Sequence, residues 1–316
     1  MALTPKQVSF LRLNTISLVY HAQTIWLFTY SNLKDTFGPC MIFCISGALS
    51  GPVLGFEPSP LKAAIIARLP LAAFWAWITL FGFCLHNQRR PESVEEDEIN
   101  KPWRPLPAKR ITITQTNYLL LATYPFMYLF SSRFGGLKPC IGLTFLQLWY
   151  NDWGGSDDNG FVRNFLNAAG YLCFLSGSLE VLIGPSYNVF NPKALTWLFM
   201  VGGLICTTIH AQDFRDEEGD RLRGRNTIQS AIGDRASRWS VILAAGFWSI
   251  FIPARLELGL KAGLVLCSTA GVLIFWVLQG LQTRTLQKDI LAYKAWCFWF
   301  MSVFLVPCVK SILDTN

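Results

Sequence analysis

Three aspartates with helical spacing form a candidate metal-binding group. Residues 213–220 are Asp-Phe-Arg-Asp-Glu-Glu-Gly-Asp, so Asp213, Asp216 and Asp220 occupy positions i, i+3 and i+7. On a helix this spacing places the three carboxylates on one face. Carboxylates this close repel one another unless a cation neutralises them, and Mg²⁺ prefers such oxygen ligands while leaving room for substrate phosphates. A solvated acidic loop is the alternative, but the apolar run over 194–209 leads directly into these residues.

A second acidic segment lies earlier in the chain and is also followed by cations. Glu92, Glu96 and Asn100 share one helical face, and Asp97 lies beside them. Prolines at 102, 105 and 107 end any helix there. The cations that follow the two acidic segments are Lys101, Arg104, Lys109 and Arg110, and then Arg221, Arg223 and Arg225. Because carboxylates bind a metal, and metal and arginines together bind phosphate groups, both segments are typical of a diphosphate site.

The composition predicts a polytopic membrane protein. The chain has 316 residues, of which 52% are hydrophobic and only 15% are charged, and its mean hydropathy is +0.35. Soluble domains carry about 25% charged residues. The nine cysteines are scattered and include no Cys-x-x-Cys pair, so we expect small apolar side chains rather than disulfides or zinc ligands.

Nine apolar blocks predict an all-α bundle of about nine transmembrane helices. The blocks are 37–56, 64–86, 112–131, 137–150, 161–184, 193–211, 237–254, 260–281 and 291–312. The fourth is short for a hydrocarbon core of about 30 Å. The acidic loops, about 87–111 and 212–236, follow the second and sixth blocks, and each begins after a similar His-containing end. We interpret this as two pseudo-repeated four-helix halves.

Residues 1–36 are predicted to form an N-terminal interfacial segment, although a first span is an open alternative. Residues 37–316 then form one transmembrane domain. With the N-terminus in the cytosol, most of the 27 basic residues and both acidic loops lie on the cytosolic side, as the positive-inside rule requires. This topology accounts for the net charge of +7, so no nucleic-acid partner is predicted. We expect an internal membrane, such as the endoplasmic reticulum.

At this point two motifs carry a resemblance. Asn-x-Pro-x-Arg-Pro-x-Pro at 100–107, with Asp97 before it, resembles the first motif of the UbiA superfamily of intramembrane prenyltransferases. Asp-x-x-Asp-x-x-Gly-Asp at 213–220, with Gly224 and Thr227 after it, resembles the second. The resemblance covers nearly the whole chain. It implies a helical bundle with a central cavity, in which Mg²⁺ assists the departure of diphosphate from an allylic isoprenyl diphosphate.

The resemblance also implies roles for individual residues. Asp97, Asp213 and Asp216 would be catalytic. The implied metal ligands are Glu96, Asp97, Asn100, Asp213, Asp216 and Asp220. The implied diphosphate ligands are Asn87, Arg104, Arg110, Arg163 and Arg221. The implied partners are a polyprenyl diphosphate and the lipid bilayer.

Two departures from the family pattern bear on the reaction. The first motif lacks its usual aspartate pair, since the positions four and seven before Asp97 are Ser93 and Arg90. The expected Tyr…Lys-Arg stretch is replaced by residues 150–155, Tyr-Asn-Asp-Trp-Gly-Gly, and the nearest cation is Arg163. These departures resemble the fungal branch that includes membrane-bound terpene cyclases. We therefore predict a cyclase acting on a C15 or C20 diphosphate. The alternatives are a prenyltransferase with an aromatic or other small acceptor and, more remotely, a transporter.

Overall fold

A computed structural model describes residues 5–315 of the chain, with side-chain surroundings from residue 17 onward. Every regular element in these residues is helical. The α-helices are α1 (Pro5–Tyr30), α2 (Gly38–Leu49), α3 (Lys62–Gln88), α4 (Pro91–Asn100), α5 (Ile113–Phe134), α6 (Leu137–Asn151), α7 (Gly160–Ile183), α8 (Pro192–Thr208), α9 (Asp213–Leu222), α10 (Ile228–Ile232), α11 (Asp234–Arg255), α12 (Gly259–Thr283), α13 (Leu286–Phe304) and α14 (Val306–Thr315). A π-helical turn (Leu33–Phe37) and two 3₁₀ turns (Gly51–Leu54 and Ile209–Gln212) complete the set.

Six helical segments in the described residues are long and apolar enough to cross a membrane, so the chain is a multi-pass integral membrane protein. They are Lys62–Gln88, Gly160–Ile183, Pro192–Leu222, Asp234–Arg255, Gly259–Thr283 and Leu286–Thr315. Each of the nine apolar blocks contains or overlaps a helix, but three of these helices are not among the six. Helices α2 and α6 have only 12 and 15 residues, and α5 has 22 residues but is not apolar enough. A span needs about 20 residues, so the count of nine is not reached on length and composition.

Local sequence explains where the helices around the acidic loops begin. Pro91 opens α4 at its first position, where a missing N–H costs nothing. Thr112 and Gln115 form a capping box at the start of α5. Asn159 caps α7 by accepting hydrogen bonds from the backbone amides of Phe161 and Val162. The cap places the first turns of α7 beside the second acidic segment, where Arg163 contacts Asp213.

Helix α7 is the centre of the packing. It contacts α2, α3, α6 and α8, and its residues from Phe174 to Leu179 are all buried. In the second half of the chain α11, α12 and α13 pack consecutively, and α8 contacts α11. Helix α13 also contacts α2, which joins the two halves of the chain. All nine cysteines are free, as the sequence predicts.

The two acidic segments are helices that pack against each other. Helix α8 continues through the 3₁₀ turn Ile209–Gln212 into α9, so the apolar run delivers the aspartates to one end of the bundle. Helices α4 and α9 are in contact. They approach most closely at Gly219, where an added Cβ would lie 2.7 Å from Cγ of Asn100. A side chain at this point of the second motif would therefore displace the end of the Asn100 side chain.

Candidate active site

A cavity of about 140 Å³ lies where α4, α7 and α9 meet. Its charged lining comes from Asp35, Glu96, Asp97, Lys101, Arg104, Arg163, Arg215, Asp216 and Arg225. Its largely apolar lining comes from Phe83, Leu143, Leu146, Leu166, Tyr171 and Phe174. Along α7 the lining passes from Arg163 to Phe174, which is about 16 Å at 1.5 Å per residue. The cavity thus has a charged end at the acidic loops and an apolar part deeper in the bundle.

Two aspartates of the second motif are buried against arginines. Asp213 Oδ1 accepts a hydrogen bond of 2.5 Å from Arg163 Nη1, and only 1% of Asp213 is exposed. Asp220 Oδ1 accepts one of 2.5 Å from Arg225 Nη1, and Arg163 Nη2 lies 4.0 Å from the same oxygen. Because an unpaired charge this deeply buried is costly, the arginines offset part of the cost of burying these carboxylates.

Arg223 and Arg225 connect three separate segments of the chain. Arg225 contacts Glu96 of α4 at 3.1 Å and Asp157 of the α6–α7 loop at 3.0 Å. Arg223 contacts Glu96 at 3.1 Å and Asp157 at 3.0 Å, and it donates a 2.8 Å hydrogen bond to Ser93 Oγ. The first acidic helix is therefore fixed to the second acidic loop by arginines, because like charges alone would force the two apart.

The remaining motif carboxylates face the cavity. Asp97 accepts two hydrogen bonds, of 2.9 and 2.8 Å, from Nη1 of Arg104. Asp216 lies 3.3 Å from Arg215 Nε and 3.9 Å from Lys101 Nζ. Asp97, Arg104 and Asp216 belong to the predicted site. Lys101 and Arg215 do not, and they add further positive charge around the same cavity.

Two carboxylates outside the membrane-spanning segments stay charged although they are buried or half-buried. Burial alone would raise the pKa of Glu96, but Arg225, Lys101 and Arg223 act more strongly and hold the pKa below its ordinary value of 4.5. Burial would likewise raise the pKa of Asp157, but Arg223 and Arg225 hold that pKa below 3.8. Both groups therefore carry negative charge at neutral pH.

The donor chemistry suits Mg²⁺, but the carboxylates do not converge on one point in this conformation. Oδ2 of Asp213 and Oδ2 of Asp220 are buried without a hydrogen-bond partner, as is Nδ2 of Asn100. Buried polar atoms normally have partners, so unpaired oxygens mark positions where a cation would be satisfied. Over residues 17–315, however, no three His, Cys, Asp or Glu side chains form a group that could hold a metal ion. The arginines occupy the space between the acids.

The structure brings most of the predicted site residues together. Glu96, Asp97, Asp213, Asp216, Asp220, Arg104 and Arg163 form the cluster described above. Asn87 lines the same cavity and donates a 3.0 Å hydrogen bond to Asn151 Oδ1. Asn100 instead lines a neighbouring cavity of about 1100 Å³.

Two predicted diphosphate ligands lie outside the inner cavity, which is the one of about 140 Å³; the neighbouring one of about 1100 Å³ is the outer cavity. Arg110 contacts α1: its Nε donates to Thr24 Oγ1 at 3.1 Å, and its guanidinium lies 4.1 Å from the centroid of the Tyr20 ring. Arg221 is exposed and lines only the outer cavity. Ser31, Lys101, Arg215 and Asp216 line both cavities, so the two adjoin. Of the cations after the second motif, Arg223 and Arg225 contact the acids.

Several residues of the site were not among those predicted. Asp157 is 66 positions from Arg223. Its only signal in the sequence is that residues 154–158, Gly-Gly-Ser-Asp-Asp, depart from the family pattern. Asp35, Tyr171 and Tyr293 line the cavity and belong to no motif. Buried polar residues of this kind are evident only from the fold.

Comparisons with known proteins give a consistent result. A family model described as the UbiA prenyltransferase family matches residues 40–303. Over 240 residues the chain is 29% identical to the fumagillin beta-trans-bergamotene synthase of Aspergillus fumigatus, covering 74% of this chain and 78% of that protein. Over 222 residues it is 29% identical to a polyprenyl transferase of Hericium erinaceus, covering 69% of this chain and 71% of that one.

The fold is also similar to a solved structure. The structure of a UbiA homolog from Archaeoglobus fulgidus bound to GPP and Mg²⁺ is matched with a TM-score of 0.59 at 11% identity, over 89% of this chain and 99% of that one. At this identity the likeness concerns the fold alone. The helical architecture predicted from the sequence is thereby confirmed.

Proposed function

We propose a specific reaction for this chain, which belongs to the UbiA prenyltransferase family and is thus an enzyme that uses an isoprenyl diphosphate. The reaction is the Mg²⁺-dependent ionisation of an allylic C15 or C20 diphosphate, followed by cyclisation of the hydrocarbon chain. The enzyme would be a terpene cyclase of terpenoid biosynthesis.

One observation carries the proposal. A single cavity joins a cluster of buried carboxylates and arginines to an apolar part lined by Phe83, Leu166 and Phe174. An isoprenyl diphosphate has the same division, with an anionic head and a hydrocarbon tail. A transporter would place its charged groups near the middle of the membrane, whereas here they lie at the ends of helices.

The charged end must rearrange when substrate binds. The whole cavity, charged and apolar parts together, has a volume of about 140 Å³, which is below the roughly 300–1,000 Å³ of typical small-molecule sites. In our proposal the diphosphate takes over the arginine contacts, so that Arg163 leaves Asp213 and Arg225 leaves Asp220. Asp213, Asp216 and Asp220 on α9, with Glu96 and Asp97 on α4, are then free to hold Mg²⁺. The metal would neutralise the diphosphate as it departs.

The protein's own residues supply the other requirements. Of the predicted diphosphate ligands, Asn87, Arg104 and Arg163 line the cavity and would bind the phosphate oxygens. Lys101 and Arg215 lie in the wall shared with the outer cavity and would bind the released diphosphate on its way out. The buried aromatic lining would exclude water from the carbocation and stabilise it with the ring faces.

Cyclisation is favoured over transfer by the loop at 150–158. Asp157 of this loop is occupied by Arg223 and Arg225, so the segment serves as a structural link rather than as an additional phosphate-binding stretch. A prenyltransferase acting on an aromatic or other small acceptor remains the second candidate. It is supported by the 29% identity to a polyprenyl transferase, the same value as for the bergamotene synthase.

The test uses the two reactions' different substrate requirements. Membranes containing the protein are incubated with Mg²⁺ and C10, C15 or C20 diphosphate without acceptor, and products are identified by mass spectrometry. We expect a cyclic hydrocarbon from C15 or C20 diphosphate. A linear alcohol alone, with prenylated product appearing once a phenolic acceptor is added, would replace the cyclase assignment with the transferase.

We also propose how the chain lies in its membrane. Residues 1–36 would lie at the interface and residues 37–316 would form one domain of nine membrane-crossing or partly crossing helices, in two related halves. Both acidic loops would face the cytosol from an internal membrane such as the endoplasmic reticulum. The positive-inside distribution of basic residues supports this orientation.

A further inference from the structure

A buried carboxylate outside both acidic motifs lines the inner cavity. Asp35 is 4% exposed and lies in the π-helical turn between α1 and α2. Its Oδ2 accepts a 2.7 Å hydrogen bond from the hydroxyl of Tyr293, and its Oδ1 accepts from Thr36 Oγ1 at 3.1 Å and from Asn32 Nδ2 at 3.3 Å. It forms no ion pair with any residue of the described chain. Two cations, Lys34 and Arg215, lie over the ring of Tyr293 but form no ion pair with the carboxylate. A buried carboxylate without a direct ion pair is costly and calls for a reason.

The backbone around Asp35 is built to hold this carboxylate in the wall. The widened turn carries a hydrogen bond from the Phe37 amide to the Asn32 carbonyl, and such turns are frequent at functional sites. The hydroxyl of Tyr171 donates a 2.7 Å hydrogen bond to the backbone carbonyl of Asp35. Tyr171 lies eight residues after Arg163 on α7, about 12 Å further into the bundle. Asn32, which donates to Asp35, also accepts a 3.4 Å hydrogen bond from Arg104 Nη2. Asp35 is thus fixed in the cavity wall between the charged end and Tyr171.

Tyr293 links Asp35 to the diphosphate end. Its hydroxyl contacts Asp35, and the guanidinium of Arg215 lies 3.5 Å from the centroid of its ring. Arg215 in turn contacts Asp216 of the second motif at 3.3 Å. The Tyr293 hydroxyl holds Asp35 and the Tyr293 ring holds Arg215, so Tyr293 fixes the distance between the carboxylate and the place where the diphosphate leaves.

We infer that Asp35 is the base that ends the cyclisation, with Tyr293 as its positioning residue; this rests on the proposed cyclase function. A carbocation formed from the hydrocarbon tail lies in the apolar part of the cavity, within reach of this wall. The C–H bond beside the cationic carbon breaks, its electron pair forms the new C=C bond, and the proton forms an O–H bond with the Asp35 carboxylate. The proton passes to water when the hydrocarbon leaves and water enters.

The hydrogen bonds suit this role. Both oxygens of Asp35 already accept hydrogen bonds, which lowers their tendency to attack carbon. Oδ1 accepts two, whereas Oδ2 accepts only the one from Tyr293 and retains a lone pair for a proton. The negative charge also stabilises the cation before the proton is lost, and it does so strongly because the cavity excludes water. The carboxylates of α4 and α9 are unsuited to this step because, in the proposed function, they would hold Mg²⁺ once the arginines have moved to the diphosphate.

The test separates proton removal from ionisation. Asp35→Asn and Tyr293→Phe are compared with wild type and with the exposed-site controls Glu57→Gln and Tyr118→Phe. With Mg²⁺ and the preferred C15 or C20 diphosphate, two quantities are measured: the rate of diphosphate release, and the ratio of hydrocarbon to alcohol among the products.

For Asp35→Asn we expect diphosphate release within about threefold of wild type, and a fall of at least about tenfold in the hydrocarbon-to-alcohol ratio, since a missing base typically costs more than that. Tyr293→Phe keeps the ring under Arg215 and should shift the ratio in the same direction by less. Both controls should match wild type.

Three outcomes overturn the inference. The first is an unchanged ratio in Asp35→Asn while wild type makes hydrocarbon. The second is a proportional loss of diphosphate release and hydrocarbon, which indicates a structural role only. The third is a wild type that makes no hydrocarbon at all, which overturns the cyclase proposal as well and is thereby distinguished from the first two. If Asp35→Asn does not accumulate in membranes, the ratio in Tyr293→Phe decides between the same outcomes.

Discussion

The contact between the two acidic helices gives the sharpest mutational prediction. At Gly219 an added Cβ would lie 2.7 Å from Asn100 Cγ, whereas ordinary contacts begin near 3.4 Å. In Gly219→Ala the Asn100 side chain must therefore retreat by about 0.7 Å at Cγ, and its Nδ2 by more. Displacements of about 1 Å in a catalytic arrangement can cost a hundredfold in rate. We expect diphosphate release to fall by about ten- to a hundredfold.

The loss should concern activity and not helix stability. Alanine is favoured over glycine in a helix interior by about 1 kcal/mol, so α9 itself should not be weakened. The matched control is Gly246→Ala, because Gly246 lies in α11 with open space around its Cβ direction. Both variants are assayed for diphosphate release and for thermal unfolding in detergent. Activity of Gly219→Ala within twofold of wild type would refute the close packing of α4 on α9.

Three further predictions follow from the same contacts. Arg225→Ala should abolish activity and destabilise the protein by about 3–5 kcal/mol, because it leaves the buried Asp220 without its ion-pair partner. The control Arg110→Ala should leave the rate of diphosphate release near that of wild type. Unchanged activity and stability in Arg225→Ala would contradict the described cluster. The pKa values of Glu96 and Asp157 are lowered in the folded protein, so their ion pairs stabilise it fully above the unfolded-state pKa values, and this stabilisation is lost as pH falls through the lowered ones. The difference in melting temperature between wild type and Glu96→Gln should therefore be constant above about pH 5 and vanish well below pH 4. A difference that changes near neutral pH would contradict this. Single cysteines placed in α4 and in α9, in a background whose native cysteines do not react, should be labelled from the same, cytosolic side; labelling from opposite sides would separate the two halves of the site.

The sequence predicted the elements better than the membrane count. Long apolar blocks became helices because burial and backbone hydrogen bonding in a membrane leave few alternatives. The helical phase of Asp213, Asp216 and Asp220 was correct, since α9 extends over Asp213–Leu222. The short helices α2 and α6 show the limit of block length, because an apolar run gives no sign of where a helix stops.

The choice of arginines shows what helical phase cannot predict. Arg221 still lies within α9 and faces outward, while the chain turns at Gly224, whose φ is +68°, and brings Arg225 back toward the acids. Phase has no meaning beyond the end of a helix. Arg110 is 86 positions from Thr24 and 90 positions from Tyr20, yet it contacts both residues of helix α1. No local sequence pattern indicates these contacts.

The contacts of Asp157 and Asp35 depend on tertiary structure. Asp157 meets Arg225 across 68 positions, and Asp35 meets Tyr293 across 258. No local pattern encodes such pairs, so a carboxylate outside the motifs is indistinguishable in sequence from a solvated one. Burial is the signal that separates them.

The central claim is that the cluster on α4 and α9 releases diphosphate from an isoprenyl diphosphate with the help of Mg²⁺. The most direct measurement is diphosphate release from C15 and C20 substrates by the purified protein, with Mg²⁺ and with EDTA, for wild type and Asp216→Asn. We predict release by wild type with Mg²⁺ alone, none in EDTA, and none from Asp216→Asn under either condition. Equal release in EDTA, or full activity of Asp216→Asn, would contradict it.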